Sequence, residues 1–225
     1  MIVRAIYHGQ TDLEAEGCIQ GKSDRQLTDA GKEHVQKAAE ALQSAGITMI
    51  ICPPQTHAVE AAELIAESLG LEKTAIVKNA MLAERDFGEN EDKPASEVDM
   101  LALVSWAGNV PVPGGETVRE TAGRVYKYFS NIFKLFRART ILLVIPRQIL
   151  MLTNWHFHGL PDAGKELAHE ADDVILYEFE TDDIPPEMVD FQSLIDKQES
   201  DTDSQPDRML SQSEIDALIA QMMGG

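Results

Sequence analysis

The run Ile2-Val3-Arg4-Ala5-Ile6-Tyr7 leads directly into His8-Gly9-Gln10-Thr11. The apolar run reads as a buried strand, and in α/β sheets ligands bind beyond the carboxyl ends of strands. A histidine there can act as a nucleophile, and a glycine after it lets the backbone approach a ligand. A structural histidine held by hydrogen bonds fits the same position, so His8 alone leaves both readings open. Metal chemistry is not indicated. Cys18 and Cys52 offer neither a disulfide framework nor a four-ligand zinc site. His156 and His158, on a presumed helix, read as surface or core groups. No metal and no cofactor are expected.

The elements that must position His8 alternate along the chain. After the strand at 2–7, residues 28–45 read as a helix that Thr28 can cap, with Val35, Ala38, Ala39 and Leu42 on one face and Gly46 beyond its end. Strands follow at 47–52, 75–77 and 140–145, and a last one at 173–180. Helices are predicted at 55–69, 117–137 and 148–157, with Gly70 ending the first of them. Residues 86–114 read as irregular, broken by Pro94, Pro111 and Pro113. Strands alternating with helices predict an α/β fold with a mostly parallel central sheet covered on both faces.

Charge narrows the partners. The 225 residues carry 19 Lys and Arg against 38 Asp and Glu, a formal charge of -19. That balance argues against nucleic acid and against anionic membrane surfaces. No apolar run approaches the ~20 residues of a membrane span, no cleavable signal pattern opens the chain, and a reduced cytoplasmic protein is expected. The balance also shifts along the chain. Residues 1–182 hold 17 basic and 28 acidic groups, whereas residues 183–225 hold 2 and 10. Residues 183–208, rich in Asp, Ser, Gln and Pro, are expected to form an acidic disordered linker, because such a composition buries too little apolar surface to offset chain entropy.

Five separated motifs follow the first strand. His8-Gly9-Gln10-Thr11 is followed by Gln20-Gly21, Asp24, Leu27-Thr28 and Gly31. Then come Cys52-Pro53 with the segment Ala58-Val59-Glu60-Ala61-Ala62-Glu63, Leu82-Ala83-Glu84-Arg85-Asp86-Phe87-Gly88 with Glu91, and Pro113-Gly114-Gly115-Glu116-Thr117. Their order and spacing over about residues 2–180 resemble the phosphoglycerate mutase-like branch of the histidine phosphatase superfamily. The resemblance implies a phosphoglycerate mutase-like three-layer sandwich and a mechanism for active members. A neutral histidine attacks a phosphoryl group and becomes phosphohistidine. Two arginines and a second histidine hold the phosphate oxygens, and an acidic residue protonates the leaving group.

Carried over residue by residue, His8 matches the nucleophile and Glu84 the proton donor. The arginine expected before the nucleophile is Tyr7, the one expected on the second helix is His57, and Pro146 and Arg147 stand where the second histidine and a glycine belong. A loop asparagine is replaced by Glu14 and a rim arginine by Cys18. A guanidinium grips two phosphate oxygens at once, whereas tyrosine carries no positive charge and proline offers no donor. Losing one well-placed donor costs ~10²–10³ in rate. The body is therefore expected to be catalytically depleted, with Tyr7, Gly9, Thr11, Gln20, Gly21, His57, Pro146 and Arg147 lining a residual pocket. Arg147 adjoins the site and could keep some affinity for a small phosphate-bearing ligand; Arg4 lies on the first strand out of phase with the lost arginine.

The chain's last residues carry a separate signal. Ser211 and Glu214 form an S-x-x-E capping box, with Leu210 and Ile215 placed as a hydrophobic staple. Ile215, Leu218, Ile219 and Met222 fall on one helical stripe. A helix this short is marginal alone, so the stripe needs a partner surface: the protein's own body, a second copy, or another protein reached across the linker. Residues 210–218 resemble the N-terminal peptide of the flagellar motor switch protein, which in that family binds the phosphorylated chemotaxis response regulator. The resemblance implies a docking segment at 209–225 for a regulator of that type, here at the opposite chain end. Three functions are then open: a depleted body that docks a regulator, an active phosphomonoesterase or protein phosphatase using His8, and a non-catalytic sensor of a phosphate-bearing ligand. Oligomeric state is not legible.

Overall fold

A computed structural model describes residues 2–105, 108–135, 139–158 and 177–180. Its elements run β1 (Ile2–Tyr7), α1 (Asp12–Ala15), α2 (Asp29–Ala41), β2 (Met49–Cys52), α3 (Thr56–Ser68), β3 (Ile76–Lys78), α4 (Met100–Val104), α5 (Val118–Leu135), β4 (Thr140–Ile145), α6 (Arg147–His158) and β5 (Tyr177–Glu180). The sheet order is β3-β2-β4-β1-β5. The first four strands are parallel, and β5 runs antiparallel along the edge of β1.

Side-chain alternation explains the three layers. Val3, Ala5 and Tyr7 of β1, with Ile141, Leu143 and Ile145 of β4, pack against α5 and α6. Ile6, Leu142 and Val144 point the other way, against α2 and α3. A strand buried on both faces must be apolar at nearly every position, as β2 and β4 are. The face Val35, Ala38, Ala39 and Leu42 is fully buried, as its helical spacing predicts.

The differences from the sequence reading lie at element ends. Thr28 caps α2 by accepting from the Gly31 amide at 3.0 Å, but the helix stops at Ala41 rather than 45. There, residues 42–45 close in turns before Gly46 at φ +65°. The second and third strands each begin later than predicted, a 3-10 turn at Lys73–Ala75 replacing the start of the latter. Residues 86–114 are broken as predicted, with 3-10 turns and the short α4, and they enclose a small core of their own made by Ile19, Phe87, Ala95, Met100, Leu103 and Val112. Of the last predicted strand, only Tyr177–Glu180 falls among the described residues. The linker and the docking segment lie outside them.

The topology fixes where a site can form. The helix following β1 covers one face and the helix following β4 covers the other, so these neighbouring strands part company at their carboxyl ends. That is the switch point at which an α/β sheet opens a crevice. Tyr7 pairs with Ile145, and the His8 amide donates to the Ile145 carbonyl at 3.2 Å, which sets His8 beside Pro146 and Arg147.

Candidate active site

His8 leaves β1 almost fully buried, 2% exposed. Its Nδ1 lies 2.7 Å from the Gly9 carbonyl oxygen. A carbonyl only accepts, so Nδ1 carries the proton and Nε2 keeps its lone pair. Burial drives the His8 pKa down to about 3; the bond to Gly9 opposes that shift, and the nearby Arg147 and His34 add to it. The ring is thus neutral at physiological pH with one nitrogen free, which is the state a nucleophile needs.

Gly9 supports this bond in a way the sequence reading did not foresee. It sits at φ +95°, and a Cβ there would come within 2.6 Å of the Gly31 carbonyl oxygen. The close approach that the structure shows is to Gly31 of α2. Thr28 completes the anchor by donating its amide to Gln10 O at 3.0 Å. Gly21 is likewise structural, since a Cβ there would strike the Glu91 carboxylate and the Arg85 carbonyl.

His57 enters from the first turn of α3, whose Thr56 amide and hydroxyl both donate to the Asp24 carboxylate, at 2.6 and 2.8 Å. Its ring centroid stands 4.5 Å from that of His8. Burial, then the neighbouring His8, pushes its pKa down to about 3. His57 is neutral at the position where the family resemblance implies a guanidinium. Gln20 Nε2 lies 3.3 Å from His57 Nε2, and Gln20 Oε1 accepts from the Thr11 hydroxyl. With the amide donating, His57 Nε2 accepts and holds its proton on Nδ1.

Tyr7 does not face the cleft as a free donor. Its hydroxyl donates to Glu14 Oε2 at 2.6 Å. The same oxygen accepts from the Thr11 amide at 2.8 Å, while the Glu14 amide donates to Thr11 Oγ1 at 3.3 Å. Thr11 and Glu14 thus form a capping box on α1. The T-x-x-E spacing that makes this box is present at 11–14, the same kind of pattern that Ser211 and Glu214 offer. Burial and the Glu14 carboxylate hold the Tyr7 pKa well above its ordinary value. Arg147 lies over the Tyr7 ring, its guanidinium carbon 4.4 Å from the centroid and its Nε buried without a hydrogen-bond partner. Pro146 serves as the entry to α6, its carbonyl accepting from the Leu150 amide at 2.8 Å. Arg4 points elsewhere, donating to the Ala45 carbonyl at 2.8 Å.

Glu84 follows the 3-10 turn Ala80–Leu82, and its Oε1 accepts from the Arg85 amide at 2.8 Å. Burial raises its pKa to about 8; the Arg85 amide opposes this and the Glu14 charge adds to it. The carboxyl therefore holds its proton at neutral pH, as a general acid must. Two arginines that the sequence reading missed fix this loop. Arg124 on α5 donates to the carbonyls of Met81, Ala83 and Glu84 and grips both oxygens of Glu116. Arg85 is wholly buried, donating to the carbonyls of Glu116 at 2.7 Å and Leu103 at 2.5 Å, with Phe87 beneath its guanidinium. No local signal marks either residue, because their acceptors lie 8 to 43 residues away.

Among the described residues, no three His, Cys, Asp or Glu side chains are grouped to hold a metal ion. No helix there is long and apolar enough to cross a membrane.

Comparison with known proteins places this geometry. Residues 3–192 match the family described as histidine phosphatase superfamily (branch 1). A relative from Salmonella paratyphi B, described as a probable phosphoglycerate mutase GpmB, is 31% identical over 151 residues, 63% of this chain and 67% of its own. Among solved structures, Bacillus stearothermophilus YhfR superposes with a TM-score of 0.63 at 21% identity, over 71% of this chain and 81% of that one. The alpha-ribazole phosphatase from Shigella flexneri gives 0.61 at 21%, over 72% and 81%. At such identity these two likenesses show the fold.

Proposed function

The chain belongs to branch 1 of the histidine phosphatase superfamily, and from that premise we propose that it is a catalytically depleted member whose C-terminal segment docks a chemotaxis-type response regulator. The depletion is carried by one observation: the residue before His8 is a tyrosine whose hydroxyl is committed to Glu14 at 2.6 Å. His57 is neutral, Pro146 lacks a donor, and Arg147, a cation that acts on His8, lies against Tyr7. A migrating phosphoryl group needs charge on several oxygens at once. Phosphoglycerate mutase activity, which hands phosphate on and takes it back, fits this site least.

The docking half rests on the sequence of residues 210–218 and its stripe of Ile215, Leu218, Ile219 and Met222 behind an acidic linker. Helix-in-groove recognition reads such i, i+3, i+4, i+7 anchors. In the 225-residue chain, Ile215→Ala with Leu218→Ala is expected to weaken binding to the phosphorylated regulator by ~10-fold or more, as loss of buried anchors does. Equal binding by the double variant, measured by titration calorimetry, would refute the docking role.

A second reading is favoured by His8 and Glu84 themselves. The free Nε2 and the protonated carboxyl are the nucleophile and acid of a phosphomonoesterase or protein phosphatase. Phosphohistidine trapped at His8, and lost in His8→Ala, would establish it. Absence of turnover across a broad phosphomonoester panel is the outcome the depleted reading expects. A pocket that binds a phosphate-bearing ligand without turnover would instead show as a thermal shift with phosphate metabolites.

A further inference from the structure

We propose that the Glu14 carboxylate is an internal occupant of the anion site beside His8, holding donors that an oxyanion ligand would use and excluding phosphate by its charge. This deepens the depleted-site reading and rests on it. The contacts form a closed circuit. His8 meets Tyr7, ring centroids 4.6 Å apart. Tyr7 donates to Glu14, and Glu14 pairs with Thr11. Thr11 donates to Gln20, Gln20 reaches His57, and His57 stands 4.5 Å from His8. One member of that circuit carries a full negative charge, and it takes a hydroxyl and an amide proton on a single oxygen. Its field reaches across the cleft, acting on Tyr7, His57 and Glu84 alike.

The exchange is chemically paired. A tyrosine in place of an arginine leaves a buried hydroxyl in need of an acceptor, and the glutamate supplies it. The carboxylate in turn gains the charge-assisted hydrogen bonds that would stabilise a bound oxyanion. A phosphate entering beside His8 would meet this fixed charge in a poorly screened site, where like charges a few ångströms apart repel strongly. Arg147 stands over the face of the Tyr7 ring, its guanidinium carbon 4.4 Å from the centroid.

The test is binding of orthovanadate and of inorganic phosphate to the full chain by titration calorimetry. Glu14→Gln keeps the size and the capping acceptor while removing the charge, and is expected to bind at least ~10-fold more tightly than wild type. Tyr7→Phe, which strips a donor from the carboxylate but leaves its charge, is expected to bind no better than wild type. A folded Glu14→Gln protein with affinity unchanged from wild type overturns the proposal. Should Glu14→Gln not fold, Glu14→Asn removes the same charge and is judged by the same gain; failure of both to fold assigns the carboxylate a purely structural role and overturns the proposal. Phosphomonoester turnover by the wild type would defeat the depleted-site reading instead, whereas an inactive wild type with no gain in Glu14→Gln defeats this inference alone.

Discussion

The candidate site beyond β1 divides by chemistry, not by place, into two sides that are built differently. The first is His8 and Glu84, a neutral imidazole protonated on Nδ1 and a carboxyl that keeps its proton. The second is Tyr7, His57 and Pro146, of which Tyr7 and His57 pack directly on the His8 ring. The first side draws its chemistry from the backbone and from burial: the Gly9 carbonyl sets the tautomer, and desolvation sets both protonation states. The second side depends on the identity of individual side chains, and a single substitution removes a guanidinium outright. Nucleophile readiness and anion grip are therefore separable in this architecture.

The most severe test of that separation is to rebuild the second side. Combining Tyr7→Arg, Glu14→Asn, His57→Arg and Pro146→His is expected to raise hydrolysis of an aryl phosphate by ~10³ or more over wild type, given the worth of each oxyanion donor. Steady-state assay measures it, and His8→Asn in that background should abolish it. No gain would mean that the His8 side is not competent either.

Next in size is the frame that holds Glu84. Arg124→Ala strips donors from three carbonyls and takes the cation from partly buried Glu116, whose carboxylate keeps the Asp86 amide, so denaturant unfolding should show a loss of about 3 kcal/mol. A loss under 1 kcal/mol would show that the loop is held by other means.

The two kinds of buried group, imidazole and carboxyl, should also oppose each other in pH. His8 and His57, with folded pKa values of about 3 below an unfolded value near 6.5, bind fewer protons folded than unfolded across that window. Stability should fall as pH drops from about 6.5 toward 3, and His57→Gln should flatten this limb by on the order of 2 kcal/mol. Glu84 has the opposite sign. Its folded pKa of about 8 lies above the ordinary carboxyl value, so its contribution is intact at low pH and is lost as pH rises toward and through 8. Glu84→Gln should remove that alkaline limb. Thermal melts between pH 3 and 9 separate the two.

The smallest effect is expected at Arg147. Replacing it with Met retains the apolar stem but removes the guanidinium over Tyr7, a loss of about 1 kcal/mol. A larger loss, read by the same denaturation, would mean that Arg147 carries the second side rather than resting on it.

Much of this was legible before any coordinates. The alternation of Val3, Ala5 and Tyr7 against Ile6, and the spacing of Val35, Ala38, Ala39 and Leu42, report which side chains leave water, and burial is what a repeating local pattern encodes. Helix ends were less legible, because α2 stops at Ala41 without a glycine or proline and the chain turns for three further residues. That Gly9 makes room for Gly31 is not legible, because a glycine's neighbour across a turn is not written in its flanking residues. Glu14 was read as a missing asparagine, and only its bond to Tyr7 shows it as a partner.

The sequence by itself determined that this chain lays down strands and helices in the family's order, and that Tyr7, His57 and Pro146 stand where the resemblance implies two arginines and a histidine beside His8 and Glu84. It also determined the apolar stripe of residues 215–222, on which the docking expectation rests. Tertiary structure alone decided that Tyr7 spends its proton on Glu14, that His57 stands neutral against His8, and that buried Arg85 and Arg124 grip the Glu84 loop. The reason is the range of the forces. Periodicity and capping act over a few residues and leave a trace in the string, whereas a buried donor takes whichever acceptor the packed chain brings within about 3 Å.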